Sequence, residues 1–394
     1  MLNPRTARTF QEYSDTVFMP YITKQLERAK RIDIVWDIYK DDSLKTCTRE
    51  KRGKGTRRRV LPSTAIPSNW HSFLRVDENK VELFHLLSEQ VASLQVESKE
   101  IYTTIEEKVL HSGSNRQDLS HLEPCTHEEA DTRIMLHVKD SAVCGNQKIM
   151  IRTIDTDVVV LAISIFHIIP INELWMAFGT GKHFRYLAVH DIARALGHER
   201  SKALPLFHAM TGCDTVSFLT GKGKKTTWEI WKLYPDLSPT LVDLSSPLPV
   251  LNDNSMATIE RFIVLLYDKT SIHTEVNKAR QYLFSKRTQN IELVPPSQDA
   301  LKQHLLRALF QGSIVWGQTL IPKPNMPSPG EWGWKNFENR WKPNWTTLNQ
   351  AKDMCYELIH CNCKKNCTGN CKCFKASLDC TALCLCGGHS LQDS

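Results

Sequence analysis

The chain has no apolar stretch both long enough and free enough of charge to cross a bilayer. The nearest, Val158 to Ile171, is short and follows Asp155 and Asp157, so it reads as a buried helix. No segment repeats at the periods of a solenoid. A nucleotide-binding phosphate loop is also missing: Gly179-Thr180-Gly181-Lys182 lacks the required spacing and reads as a turn between strands. No secretory signal opens the sequence, and the five cysteines before Cys361 are scattered singly. That usage is expected of a reducing compartment and argues against a fold framed by disulfides. Acids are nearly absent from Lys45 to Arg59, where eight cations, from Lys45 and Arg52 to Arg57, Arg58 and Arg59, face Glu50 alone. Such a run is ordinarily a solvated loop. What remains is ordinary for a globular protein: 394 residues, 41% hydrophobic, with a net charge of +7. That length holds two or three domains, and the mild basic excess suits a polyanionic partner.

Cysteine is concentrated at the other end. Eight of the thirteen lie between Cys361 and Cys386 in the order C-x-C-x3-C-x3-C-x-C-x6-C-x3-C-x-C, followed by Gly-Gly-His389. Disulfides and metal thiolates are the two readings. Neighbours in a C-x-C pair reach one ion easily but bridge to each other poorly, which favours zinc. The ligands would be Cys361, Cys363, Cys367, Cys371, Cys373, Cys380, Cys384, Cys386 and His389. These nine satisfy the twelve bonds of three tetrahedral ions if three sulfurs bridge; two zincs on the eight thiolates is the simpler alternative. The spacing resembles the tesmin-type CXC domain, a small three-zinc cluster that binds DNA. This copy has a first gap one residue short and His389 where that family ends in cysteine. Lys364, Lys365, Lys372 and Lys375 would give it a basic skin for phosphate.

Between the two lies an alternation of strands and helices. The patterning predicts a strand over Arg31 to Tyr39, a helix over Lys80 to Gln95 and a polar connection over Gly113 to Pro124. A helix over Glu128 to Ala142, a strand over Lys148 to Thr153, a helix over Thr156 to Ile168 and strands over Glu173 to Phe178 and Phe184 to Val189 follow, then helices over Ile192 to Leu196 and Lys202 to Met210. This is the rhythm of a mostly parallel sheet covered on both faces, whose functional groups collect at the strands' carboxyl ends. Helices over Met256 to Tyr267, His273 to Lys286 and Asp299 to Phe310 form an extension. Trp332, Trp334, Trp341 and Trp345 in the Pro-rich stretch after it are expected to pack on those helices, and a short helix near Leu348 to Leu358 carries the zinc module. The expected division is 1–30, a polar helical segment; 31–236, the α/β core; 237–320, the helical extension; 321–354, a connector; and 355–394, the zinc domain.

Three short motifs put acids in the α/β core. Glu128-Glu129-Ala130-Asp131 opens a helix, Asp155-Thr156-Asp157 follows a strand, and Gly212-Cys213-Asp214 sits in a turn. Asp37 ends the strand begun at Arg31. Singly, each reads as a cap or dipole partner. Gathered at one sheet edge, they would repel unless cations lay between them, and hard oxygen ligands suit Mg2+ or Mn2+. In order and spacing the set resembles the flap endonuclease family, within the PIN-like fold: an early acid (Asp37), an E-A-E-type pair (Glu129 and Asp131), D-x-D (Asp155 and Asp157) and a late acid (Asp214). Gly221-Lys222-Gly223-Lys224-Lys225 resembles that family's DNA-gripping hairpin, and Lys45 and Arg52 resemble the basic residues that steer its scissile phosphate. The likeness covers about residues 31–235 and is closest over His127 to Trp228, a segment also similar to nuclease-like proteins carried by mobile elements of animal genomes. It implies an α/β, Rossmann-like three-layer core and a two-ion phosphodiester hydrolase acting on branched or duplex DNA in the nucleus. The family's first-strand aspartate has no counterpart before Arg31, Asp131 stands for a Glu, and Thr215 for an aromatic. An inactive DNA-binding relative, and a protein-interaction scaffold, are therefore the other two expectations. Cys125 and Cys213 are expected to be small packing residues and His127 to cap or pack.

Overall fold

In the computed structural model, residues 1–40, 42–46, 53–113, 116–286, 294–347, 361–363, 367, 370–375, 380 and 384–386 are described. The chain divides into two compact units, Met1–Trp345 and Thr346–Ser394. Among the described residues no helix is long and apolar enough to cross a membrane.

The larger unit is a mixed α/β structure. It begins with helical turns over Phe10–Tyr13 and Ser14–Phe18 that run into α1 (Met19–Leu26). β1 (Arg31–Ile34) pairs in parallel with β2 (Glu100–Ile105), which turns back on β3 (Lys108–Ser112). α2 (Asp77–Ala92) packs on β2, where Ser88 Oγ lies 3.0 Å from Thr103 Oγ1 and from the Thr104 carbonyl. α3 (Ala130–Val143) leads to a second sheet: β4 (Lys148–Thr153) parallel to β5 (Glu173–Phe178), and β5 antiparallel to β6 (Arg185–Ala188). α4 (Thr156–Ile165) crosses between β4 and β5. α5 (Val189–Met210) follows; it joins the two helices expected there across a break at Gly197, whose φ of 77° lies in the region that favours glycine.

The expected mostly parallel sheet is thus corrected to two three-stranded sheets, each with one parallel and one antiparallel pair. The reason is local. Glu106 and Glu107 make a tight turn between β2 and β3, and Gly179 to Phe184 turns β5 into β6, so each sheet is closed by a hairpin. The strand expected over Arg31 to Tyr39 stops at Ile34. Trp36 then leaves the ladder: its indole stacks on Phe84 at 4.4 Å and donates to Ser88 Oγ.

α6 (Lys224–Leu233), α7 (Leu237–Leu244), α8 (Asp253–Tyr267), α9 (Val276–Lys286) and α10 (Gln298–Leu309) complete the unit. They do not form a separate core. One hydrophobic cluster runs from Met135 on α3 through Leu161, Met176 and Phe207 to Phe262, Leu305 and Trp316. The tryptophan stretch forms a hairpin, β7 (Trp334–Phe337) with β8 (Arg340–Pro343). As expected it packs on the helices: Trp334 is buried, Trp332 lies against the main core, and Trp345 faces the Arg307 guanidinium of α10 at 5.1 Å. The helix expected near Leu348 to Leu358 lies outside the described residues.

Candidate functional site

The site is assembled at the carboxyl ends of β1 and β4. Trp36 turns the chain after β1 so that Asp37 reaches α3, where its Oδ1 accepts from the Ala130 amide at 2.8 Å. Glu129 is the N-cap residue of α3 but gives no side-chain cap, so an acid 93 positions away satisfies that helix end. Three further bonds hold α3 in place. Arg133 donates to the Glu106 and Lys108 carbonyls at the β2–β3 turn, and His137 Nδ1 lies 2.7 Å from Asp33 Oδ1. After β4, Asp155 caps α4 by accepting from the Asp157 amide at 2.9 Å. At the end of α5, Gly212 has a φ of 109°, and a Cβ there would meet Phe218 at 2.8 Å. Only glycine permits that turn, which delivers Asp214.

Lys45 joins the acids. Its Nζ lies 3.0 Å from Glu129 Oε2 and 3.6 Å from Asp214 Oδ2. Burial opposes the charged form of Lys45, but Glu129, Asp214 and Asp131 outweigh it and hold the ammonium well above the ordinary lysine range. Burial pushes Glu129 up, with Lys45 opposing and Glu128 and Asp37 adding repulsion. Burial, then Asp155 and Glu129, push Asp131 up to about 8. Burial also raises Asp155, reinforced by the charges of Asp157 and Asp214 and opposed by the bond from the Asp157 amide. Asp157 is turned to a different partner, His208 Nε2 at 2.9 Å.

Asp37, Glu129, Asp131, Asp155 and Asp214 therefore lie in one electrostatically coupled group around Lys45, with Asp157 at its margin. Among the described residues, every set of three or more Asp, Glu, His or Cys ligand atoms within 4.8 Å of one another consists of cysteines. The cation between Glu129 and Asp214 is the lysine's own ammonium. Arg52 lies outside the described residues. A cavity of 370 Å3 opens beside Lys45 and Glu129, bounded by Gln311, Pro327 and Trp341.

A folded Asp131 titrating near 8, against about 4 in an unfolded chain, has a definite sign. Below pH 4 both states hold the proton; between 4 and 8 only the folded state does, so rising pH removes stability. Asp131→Asn is expected to stabilise the chain in chelator-treated buffer, by an amount growing from pH 4 to pH 8 at roughly 1 kcal/mol per unit. Denaturant titrations across that range measure it, and a gain independent of pH refutes the assignment.

The Gly221–Lys225 segment lies beside a second cavity, of 510 Å3, lined also by Gly212 and Phe218. Lys224 turns inward, donating to the His208 and Gly212 carbonyls and to Thr211 Oγ1 at 2.6–3.1 Å, which ties off the carboxyl end of α5. Lys222 lies 4.7 Å from the Tyr267 ring. Gly223 caps α6, and Gly221 takes a φ of 70°. Lys225 is exposed. Cys125 is buried in a small cluster with Leu122 and Leu136, Cys213 packs against the main core, and His127 Nε2 meets the Ile321 carbonyl at 2.7 Å; all three are packing residues, as expected. His208 and Asp33 went unnoticed in the sequence, because nothing local marks a histidine or a mid-strand acid whose partner lies 51 or 104 positions away.

In the smaller unit the eight cysteines converge. Cys361 Sγ lies 3.7, 3.9 and 3.7 Å from those of Cys367, Cys380 and Cys386. Cys367–Cys380 and Cys373–Cys384 are 3.5 and 3.6 Å apart. A disulfide needs about 2.05 Å, whereas thiolates on a tetrahedral ion with bonds of about 2.3 Å lie about 3.8 Å apart. The sulfurs fit a zinc-type ion. They fall into three sets of four: Cys361, Cys363, Cys367 and Cys371; Cys361, Cys373, Cys380 and Cys384; Cys361, Cys367, Cys380 and Cys386. Cys361 belongs to all three, and Cys367 and Cys380 to two each. Lys372 is exposed on this unit, as is Lys375; Lys364, Lys365 and His389 lie outside the described residues.

Compared with models of known families, with curated proteins and with solved structures, the chain matches none.

Proposed function

We propose that the chain is a DNA-binding protein of nuclease ancestry whose PIN-like body binds without cutting and whose CXC-type tail holds two to three zinc ions. The observation that carries this reading is the Lys45 ammonium between Glu129 and Asp214. It supplies internally the positive charge that grouped carboxylates require, while Asp157 is spent on His208. The basic residues of the tail suit phosphate, and the order of the acids is the one that resembles the flap endonuclease family.

The second reading, a Mg2+- or Mn2+-dependent nuclease, is favoured by the burial, and after it the mutual repulsion, that raise Asp131, Asp155 and Glu129. Flapped, branched and duplex DNA separate the two readings. The binding reading expects retention of every substrate, with the strands intact in Mg2+, in Mn2+ and in chelator. Cleavage that needs metal and is lost in Asp155→Asn/Asp157→Asn overturns it. A thermal shift adds an independent readout: a midpoint raised by millimolar Mg2+ in the wild type but not in the double variant would assign an ion to the acids.

A further inference from the structure

The β4–β5–β6 sheet has one face in the core and an opposite face that is exposed at Met150, Arg152 and Tyr186, with Ala177 at its centre buried. Ile151, Leu174 and Met176 point into the main hydrophobic cluster. The register places Met150, Trp175 and Ala188 in one row of the opposite face, and Arg152, Ala177 and Tyr186 in the next. Met150 is 57% exposed and Tyr186 60% exposed. That is unusual, because strands paired in parallel are normally covered on both faces. An open patch of this kind marks an interaction surface.

Its chemistry identifies the partner. The Arg152 guanidinium lies 5.6 Å from the Phe184 ring, and Phe184 meets Tyr186 edge-on at 5.1 Å. Lys148 lies 6.0 Å from the Trp175 ring, and Glu173 fixes that ring by accepting from its Nε1 at 2.8 Å. Trp175 and Tyr186 are diagonal neighbours across β5 and β6, about 7–8 Å apart at the backbone. At that spacing Trp175, which also meets His190 in a T-shaped contact at 5.1 Å, and Tyr186 are within reach of successive unstacked bases, and they are flanked by Arg152, 5.7 Å from the Tyr21 ring, and by Lys148, paired with Glu173 at 2.9 Å. A protein partner would use the rings but has no need of the flanking cations. We infer that this face is a stacking platform for single-stranded nucleic acid. The inference is independent of the acidic cluster and of the zinc tail.

Fluorescence anisotropy of the full chain with labelled oligothymidylate, oligouridylate and a duplex of equal length tests it. Tyr186→Ala is expected to weaken single-strand binding about 5- to 150-fold, with Tyr186→Phe retaining it and duplex affinity changing less than about twofold. Met150→Glu, which sets a carboxylate on the face without emptying it, weakens it in the same sense. Arg152→Gln lowers the slope of log K against log salt by about 0.7. The oligothymidylate and oligouridylate arms tell DNA from RNA as the preferred strand. Unchanged single-strand affinity in both Tyr186→Ala and Met150→Glu overturns the proposal, as does equal weakening of duplex binding. Sedimentation showing wild-type self-association abolished by Met150→Glu would give the face to a second copy and equally overturn it.

Discussion

Replacing Cys361 with serine is expected to strip the tail of most of its zinc, taking the content from two to three ions per chain to one or none. Cys361 is the sulfur common to all three four-cysteine sets, so its loss opens every one of them. Cys363 belongs to one set only, and Cys363→Ser is expected to release about one ion. The energetic consequence is large, because binding a structural zinc supplies on the order of 10–16 kcal/mol of folding free energy in small modules. A tail with empty sites is therefore expected to unfold and become sensitive to protease, and under the proposed function to lose its contribution to duplex binding, while the Met1–Trp345 unit keeps its own thermal transition. Metal analysis of the two variants, beside a chelator titration of the wild type, measures this. Equal zinc loss in both variants would show that Cys361 is not shared, and a zinc-free tail joined by disulfides would overturn the site altogether.

The second large effect lies in a buried ion network that has no part in the proposed function. Asp140 on α3 accepts from Arg31 at 2.8 Å and from Arg116 at 2.7 Å, and its side chain is only 2% exposed. Arg31 also pairs with Asp33, which His137 contacts in turn, and its guanidinium lies 4.1 Å from the Tyr102 ring. Burial works against the charged form of Asp33, but its bonds from His137 and Arg31 outweigh that and hold the carboxyl below the usual carboxylate range. Asp140→Ala leaves the buried Arg31 guanidinium and the partly exposed Arg116 guanidinium without their shared carboxylate. Breaking such a network from one side costs about 3–5 kcal/mol, whereas Lys148→Ala, which removes the exposed pair with Glu173, is expected to cost less than about 1 kcal/mol. Chemical denaturation of both variants decides it, and an Asp140→Ala cost below that of Lys148→Ala would mean that the network is not what ties α3 to β1.

Which parts were legible in the sequence follows from the range of the forces involved. Lys148 to Thr153 and Glu173 to Phe178 are strands with the expected ends, because each is a short β-prone run bounded by turn residues. α4 and α8 follow from apolar spacing alone. β2 and β3 went unread. Their turn is Glu106-Glu107, with Glu106 at a φ of 47°, and it contains none of the glycine or asparagine that ordinarily marks a hairpin. The comb of cysteines declared its chemistry through spacing, since ligand reach is local.

The acids are the instructive case. Sequence by itself determined which carboxylates sit at strand ends and helix starts, because capping and turn preferences act within a few residues. Tertiary structure alone decided what each one faces: Asp37 an amide of α3, Asp157 the imidazole of His208, Glu129 and Asp214 the ammonium of Lys45. Those partners are chosen by packing across tens of residues, and no local pattern encodes them. The same division holds for the open face of β4–β5–β6. Alternation along each strand separates its two sides, but only the packing of the helices determines which side is left to solvent.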